Sequence, residues 1–285
     1  MPHAPADHGC GYRTILIRMT ELRATSADGT TVTALAEGSG PTVLIVHPGG
    51  GDVASWGAVS RRLTADYRTV RIQRRIYAPG AILPPDHSMA VEAADILAIL
   101  GLLDLPVLLV GHSSGAVAAL EAALLAPSSL AGILVYEPPM PTRKPVWGEA
   151  GRRARAALDA GDPVEAMRIH LRDVVGMPAD QLEAMFANPS ARSMFAAVAA
   201  PQVTDGEALD RLGLGVERFT KLDVPTTLLE GDSSPAHLRE RTADLAAALP
   251  NSRVVTLHGQ GHAAHLTGPD LLADAVRDAA RSAFG

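Results

Sequence analysis

The sequence contains little cysteine, little lysine and no apolar run of membrane-spanning length. Among its 285 residues, Cys10 is the only cysteine, which excludes an internal disulfide framework and a cysteine-rich metal site. Only two lysines are present, and 25 basic residues against 31 acidic residues give a net charge of −6, which argues against a nucleic-acid-binding protein. The most apolar stretch, residues 96–110, is interrupted by Asp104 and Pro106 and is too short to span a membrane.

The N-terminal segment also lacks an apolar stretch of the kind found in secretory signals. Residues 1–14 are polar or small, so we expect a cytoplasmic protein without a membrane partner. Hydrophobic residues make up 47% of the chain and charged residues 20%, a composition typical of globular proteins. The length predicts two domains, or one large domain with an insertion. The composition leaves the oligomeric state open, and a small-molecule substrate is expected only from the motifs described below.

Strand and helix patterns alternate along most of the chain. Asp28-Gly29 lies between β-branched segments and predicts a hairpin turn. Residues 42–47 form a continuous apolar run, which is typical of a strand covered on both faces. Residues 107–110 repeat that pattern and are followed by a helical pattern over residues 116–125. The alternation predicts an α/β fold with helices on both faces of a mostly parallel sheet.

One long segment interrupts this alternation. Between Pro138-Pro139 and Val224-Pro225 the sequence has amphipathic helical patterns but no convincing strand. We therefore predict a helical cap over residues 140–222, inserted into a core formed by residues 1–139 and 223–285. The predicted cap helices are at 152–158, 164–175, 179–187 and 207–212.

The motif Gly-His-Ser-Ser-Gly at residues 111–115 carries the strongest chemical signal. It follows an apolar strand and precedes a helix, the context in which G-x-S-x-G forms a sharp turn that exposes its central serine. Glycines on both sides are needed because a Cβ there would collide with neighbouring backbone. The free N–H groups at the helix N-terminus would face an oxyanion formed at Ser113.

At this point the chain resembles the α/β-hydrolase superfamily, in its branch with a helical cap. The resemblance covers nearly the whole chain after about residue 25. It rests on His-Pro-Gly-Gly-Gly at residues 47–51, the Ser113 turn, an acid at a later strand end, and Gly-Gln-Gly-His at residues 259–262. It implies an eight-stranded, mostly parallel sheet flanked by helices, with nucleophile, acid and histidine in that chain order.

The resemblance also implies an oxyanion hole made of two backbone N–H groups. The N–H of Ser114 is the first predicted donor. Pro48 stands where the family usually has glycine, and proline has no N–H. The predicted second donor is therefore Gly49, with Gly50 as the alternative.

His262 is the predicted general base, because imidazole can accept the Ser113 proton near neutral pH. His258, His262 and His265 together suggest a metal site, but Gly259 and Gly261 break any helix that would align the rings, so no metal is expected.

The acid that orients His262 is ambiguous in the sequence. The usual position, three residues after Gly231, holds Ser234, which has no carboxylate. Asp232 lies nearby but falls short of that position. Glu137, which ends the preceding strand, resembles the acid of some haloalkane dehalogenases. We predict Glu137 and keep Asp232 as the alternative.

A serine nucleophile excludes the aspartyl-ester chemistry of dehalogenases and epoxide hydrolases. The predicted reaction is hydrolysis of a small carboxylic ester, thioester or lactone through an acyl-enzyme, without a cofactor. The same residues can support carbon–carbon bond hydrolysis, lyase or perhydrolase chemistry, and the scaffold can serve as a non-catalytic small-molecule receptor. Arg74-Arg75 either lies near the mouth of the site or forms structural ion pairs.

Overall fold

The computed structural model describes residues 19–285. Cys10 and the N-terminal segment behind the secretion prediction lie outside the described residues. The strands are Thr20–Thr25 (β1), Thr31–Glu37 (β2), Thr42–Val46 (β3), Arg68–Gln73 (β4), Val107–His112 (β5), Leu130–Tyr136 (β6), Thr226–Gly231 (β7) and Ser252–Leu257 (β8).

All eight strands form one sheet in the order β1-β2-β4-β3-β5-β6-β7-β8. The β1/β2 and β2/β4 pairs are antiparallel, and every other pair is parallel. The predicted α/β class with an eight-stranded, mostly parallel sheet is therefore confirmed. The β1–β2 hairpin turns at Asp28-Gly29, where Gly29 has a φ of 85° and the Asp28 carboxylate accepts from the Thr30 N–H at 3.0 Å.

Helices cover both faces of the sheet because alternate residues of its central strands point to opposite sides. On one face, Leu44 packs in a cluster with Ile96 and Val117, and on the other, Ile45 packs with Val59 and Val276. The helices are Gly57–Leu63 (α1), Met89–Leu100 (α2), Ser114–Leu125 (α3), Gly148–Asp159 (α4), Pro163–Ile169 (α5), Ala179–Ala187 (α6), Pro189–Asp210 (α7), Ala236–Ala248 (α8), Ala264–Thr267 (α9) and Pro269–Phe284 (α10).

Helices α4–α7 lie between β6 and β7 in sequence, within the segment predicted as the cap, and share a hydrophobic core of their own. This cap core includes Trp147, Met167, Phe186 and Phe195. A π-helical turn, His170–Val175, continues α5.

The prediction of a separate helix over residues 207–212 is wrong, because residues 207–210 are the end of the 22-residue helix α7. This helix continues through Pro201, which has no N–H for the carbonyl of Ala197. Ala197 is exposed, so water can satisfy that carbonyl and the helix need not break.

Within residues 19–285, each helix is too short or too polar to cross a bilayer.

Candidate active site

Ser113 lies at the turn between strand β5 and helix α3. Its backbone has a φ of 54° and a ψ of −129°, a conformation that non-glycine residues rarely adopt, and its N–H donates to the Tyr136 carbonyl at 2.9 Å. A Cβ at Gly111 would lie 2.5 Å from the Ala116 Cα, and one at Gly115 would lie 2.3 Å from the His47 carbonyl oxygen. The two flanking glycines are therefore required by the close approach of neighbouring backbone.

The two predicted oxyanion-hole residues lie beside this turn. Ser114 is the first residue of α3, so its N–H is among the amides that have no partner within the helix. Gly49 follows the buried strand β3. Gly51 donates to the Pro48 carbonyl at 3.3 Å, so its amide already has a partner within the loop. The choice of Gly49 over Gly50 as the second donor stays a prediction.

The structure brings His262 and Glu137 together across 125 positions of sequence. His262 Nδ1 lies 2.5 Å from Glu137 Oε2, and the other carboxylate oxygen accepts from the Gly231 N–H at 2.8 Å. The Glu137 side chain is fully buried, whereas the His262 side chain is about one quarter exposed. Glu137 has a φ of 46°, so it resembles Ser113 in turning sharply at the end of its strand. In its neutral form His262 donates from Nδ1, which leaves Nε2 as a proton acceptor.

Asp232, the alternative acid, contacts a different histidine. Its carboxylate lies 3.1 Å from His258 Nδ1 and accepts from the Gly259 N–H at 2.8 Å. The side chain is 40% exposed. The hydrogen bond with His258 is the main cause that lowers the pKa of Asp232 below its ordinary value. Asp232 therefore supports the start of the histidine loop, and the structure does not bring it to His262.

His112 holds the backbone of the histidine loop. Its Nε2 lies 3.0 Å from the His262 carbonyl oxygen, and its Nδ1 accepts from Trp56 Nε1 at 3.4 Å. The ring stacks on Tyr136 at a centroid distance of 4.6 Å. Burial, and then the neighbouring His262, hold the pKa of His112 well below its ordinary value. His112 is thus a neutral ring that donates to the loop.

No cluster of three or more His, Cys, Asp or Glu side chains suited to a metal ion occurs within residues 19–285. The three histidines considered as a metal site are directed to different partners: His258 faces Asp232, whereas His265 lies against Trp56 and His112.

Sequence reasoning did not predict that helix α7, within the segment predicted as the cap, reaches the Ser113 turn through buried polar contacts. Asp205, on α7, accepts hydrogen bonds from Arg74, Tyr77 and Ser114. Arg74 and Arg75 both form ion pairs, which was one of the two predicted alternatives for this dipeptide. Arg74 pairs with Asp205 and Glu92. Arg75 pairs with Asp28 and Asp95. In the sequence, only the Arg74-Arg75 dipeptide pointed to these buried contacts. Asp205 lies 131 positions after Arg74, in a segment without a recognisable motif.

Comparisons with known proteins agree with the geometry. Residues 43–275 match the model of the Alpha/beta hydrolase family. The chain is 27% identical over 246 residues to "Putative carbamate hydrolase RutD" of Pseudomonas syringae pv. syringae, covering 80% of this chain and 89% of the relative. It is 24% identical over 250 residues to "Putative esterase/lipase" of Haemophilus influenzae, covering 83% and 82%. The structure is similar to that of an alpha/beta hydrolase from Sphaerobacter thermophilus, with a TM-score of 0.78, 28% identity, and coverage of 90% of this chain and 99% of that one.

Proposed function

Because the chain belongs to the alpha/beta hydrolase family, we propose that it is a serine hydrolase that cleaves a small carboxylic ester, thioester or lactone. Ser113 is the proposed nucleophile, His262 the general base and Glu137 the acid that orients it. The observation that carries the proposal is the contact between His262 Nδ1 and the buried Glu137 carboxylate. A buried carboxylate that fixes one imidazole nitrogen leaves the other free to take a proton from a hydroxyl.

In the proposed reaction, Ser113 Oγ attacks the carbonyl carbon of the substrate while its proton passes to His262 Nε2. The carbonyl π electrons move to oxygen and form a tetrahedral oxyanion. The oxyanion then collapses, the bond to the leaving alcohol or thiol breaks, and the leaving group takes the proton from His262. Water then gives a proton to His262 Nε2 and attacks the acyl carbonyl carbon; the bond from that carbon to Ser113 Oγ breaks, Oγ takes the proton from His262, and the carboxylic acid is released.

The oxyanion would accept hydrogen bonds from the N–H groups of Ser114 and Gly49. Donors fixed before the reaction stabilise the transition state because they need no reorganisation when charge develops. The position of Ser114 at the N-terminus of α3 adds the partial positive charge of that helix end. The N–H of Ser113 donates to the Tyr136 carbonyl and fixes the turn. The Ser113 hydroxyl and the Ser114 N–H therefore keep their relative positions.

Labelling with a fluorophosphonate probe tests the nucleophile. We expect the wild-type chain to be labelled and Ser113→Ala to resist labelling. Ser233→Ala, which removes an exposed hydroxyl on the loop after β7, is the matched control and should be labelled at the wild-type rate. Labelling of Ser113→Ala at the wild-type rate would contradict the assignment, and an unlabelled wild-type chain would favour the receptor alternative.

A substrate panel tests the reaction class. We expect turnover of p-nitrophenyl acetate or butyrate, with a thioester, a lactone and an aryl carbamate in the same panel because a relative carries the carbamate hydrolase name. A chain that is labelled at Ser113 but inert toward every ester, thioester and lactone would overturn the proposed substrate class. That result would favour carbon–carbon bond cleavage, lyase or perhydrolase chemistry if the carbamate is also inert, and a carbamate hydrolase if it is not.

A further inference from the structure

A fully buried polar cluster joins the cap to the Ser113 turn. We call it the Asp205 cluster; its members are Arg74, Tyr77, Ser114 and Asp205. Arg74 Nη2 lies 2.7 Å from Asp205 Oδ1 and its Nη1 lies 3.2 Å from Oδ2, so the pair is bidentate. Both side chains are completely excluded from solvent. The Tyr77 hydroxyl donates to Asp205 Oδ2 at 2.8 Å.

The cluster fixes Ser114 from two sides. Its hydroxyl donates to Asp205 Oδ2 at 2.6 Å and accepts from Arg74 Nη1 at 2.8 Å. Ser114 is the residue whose backbone N–H is the first proposed oxyanion donor. Because both hydroxyl contacts are short and buried, they restrict the rotation of this residue at the start of α3. The side chain of Ser114 therefore helps to aim its own amide.

The cluster also lies against the second proposed donor. A Cβ at Gly49 would be 2.8 Å from Gln202 Oε1, 3.0 Å from Asp205 Oδ2 and 3.0 Å from the Tyr77 hydroxyl oxygen. Gln202 and Asp205 both belong to helix α7 of the cap. Helix α7 therefore contacts the Ser114 side chain on one side of the proposed oxyanion hole and lies against the Gly49 backbone on the other.

A carboxylate at this position needs a compensating charge, because an isolated negative charge would oppose a developing oxyanion. Arg74 supplies it. Burial alone would lower the pKa of Arg74, but Asp205 and Glu92 outweigh burial and hold it above its ordinary value. Arg74 Nε also donates to Glu92 at 3.1 Å, so the guanidinium stays charged and fixed in place.

We propose that Asp205 is a positioning residue through which the docked cap completes the oxyanion hole, and that Arg74 neutralises the charge that this arrangement brings to the site. The inference rests on the proposed function. It means that the core alone holds the nucleophile and base, whereas full stabilisation of the oxyanion requires α7 in place.

Asp205→Asn tests the inference, with Asp210→Asn as the matched control. Asp210 is on the same helix and also accepts several hydrogen bonds, from the N–H groups of Val146, Trp147 and Gly148 at 2.7, 3.1 and 2.8 Å. It contacts α4 instead of the oxyanion hole. We expect Asp205→Asn to lower kcat on p-nitrophenyl acetate by about 10- to 100-fold with KM nearly unchanged, somewhat less than the loss of a whole donor. Asp210→Asn should lower the urea midpoint without a comparable change in kcat.

A phenylboronic acid forms a tetrahedral adduct with a serine nucleophile. Its affinity for the folded protein measures stabilisation of the oxyanion and does not depend on the free energy of unfolding. Its affinity should fall in Asp205→Asn by about the same factor as kcat, and should stay at the wild-type value in Asp210→Asn. Equal kcat and equal boronate affinity in the two variants would overturn the inference. If wild type turns over no ester, thioester or lactone and is not labelled by the probe, the proposed function itself fails, which is a separate outcome.

Arg74→Met and the double variant test the charge argument. Arg74→Met leaves the Asp205 carboxylate without its bidentate partner, so kcat should fall further than in Asp205→Asn. Glu92 loses Arg74 equally in the single and the double variant, so adding Asp205→Asn to Arg74→Met removes only the stranded charge beside Ser114 and should raise kcat at least about tenfold over Arg74→Met alone. A double variant no better than Arg74→Met would contradict the neutralising role. Should these variants fail to fold, Ser114→Ala keeps the test: a wild-type kcat there would refute the positioning role.

Discussion

The sharpest prediction concerns Glu137→Gln, a substitution that keeps the shape of the side chain and removes its charge. Glu137 Oε1 accepts from the Gly231 N–H at 2.8 Å, and Oε2 contacts His262 Nδ1 at 2.5 Å. In the variant, the Gly231 donor requires the amide oxygen on its side, so the amide NH2 is turned toward His262. Imidazole then accepts at Nδ1 and carries its proton on Nε2, where it can no longer take one from Ser113.

The size of the loss follows from these contacts. Rotating the glutamine amide would let His262 carry its proton on Nδ1 again, as catalysis requires. The amide NH2 would then face the Gly231 N–H, and this donor-to-donor contact costs about 1–3 kcal/mol. The rotated amide still lacks the charge that stabilises the imidazolium, a contact of about 1.5–3 kcal/mol. Together these effects reach about 2.5–6 kcal/mol, and at about 1.4 kcal/mol per factor of ten kcat should fall by about 10² to 10⁴.

The assay is steady-state turnover of p-nitrophenyl acetate, with Asp232→Asn as the control. Asp232 lies on the loop after β7, where its side chain is partly exposed and contacts His258. Its loss should therefore change kcat by less than about threefold. Urea unfolding of both variants separates a catalytic defect from an unfolded protein. A loss below tenfold in Glu137→Gln, or a larger loss in Asp232→Asn, would refute the assignment of the acid.

Two further predictions concern stability. Gly115→Ala should lower the free energy of unfolding in urea by about 3 kcal/mol or more, because the new Cβ would lie 2.3 Å from the His47 carbonyl oxygen. Gly101→Ala is the control. Its Cβ would meet nothing closer than 3.5 Å, so this variant should retain stability. Acidification should weaken the fold through His47, since burial first, and Arg74 second, lower its pKa from 6.5 to about 4. The unfolded chain then binds more protons between those values, so this stability is complete above about pH 6.5 and is lost as the pH falls toward 4. His47→Gln should reduce the fall in urea midpoint between pH 7 and pH 4.5, and an unchanged fall would contradict the assignment.

Local sequence patterns predicted the core because its determinants are short-range. Continuous apolar runs mark buried parallel strands, and Asp28-Gly29 marks a turn whose geometry few residues accept. The Ser113 turn can also be predicted from local sequence, because it requires a glycine on each side. By contrast, the prediction of a separate helix over residues 207–212 is wrong, because α7 begins at Pro189 and continues through Pro201 to Asp210.

The contacts of the site depend on pairs that are distant in sequence. Glu137 and Asp232 both follow strands, and the sequence offered both as acids; only the fold decides that the first faces His262 and the second His258. The catalytic role of Glu137 stays a prediction. The role of Asp205 could not be predicted for the same reason, since its partners come from two distant segments, Arg74 and Tyr77 from one and Ser114 from the other.

The Asp205 carboxylate has a consequence for attempts to exchange the predicted cap, the lid over the core of this scaffold. A chimera that joins this core to a foreign lid keeps Arg74, a buried cation whose bidentate partner came from α7. Unless the new lid presents an acid at that place, Arg74 keeps its ion pair with Glu92 of the core but loses the carboxylate beside Ser114. Shape-matched lids should therefore fail more often than lids chosen first for this one complementary charge.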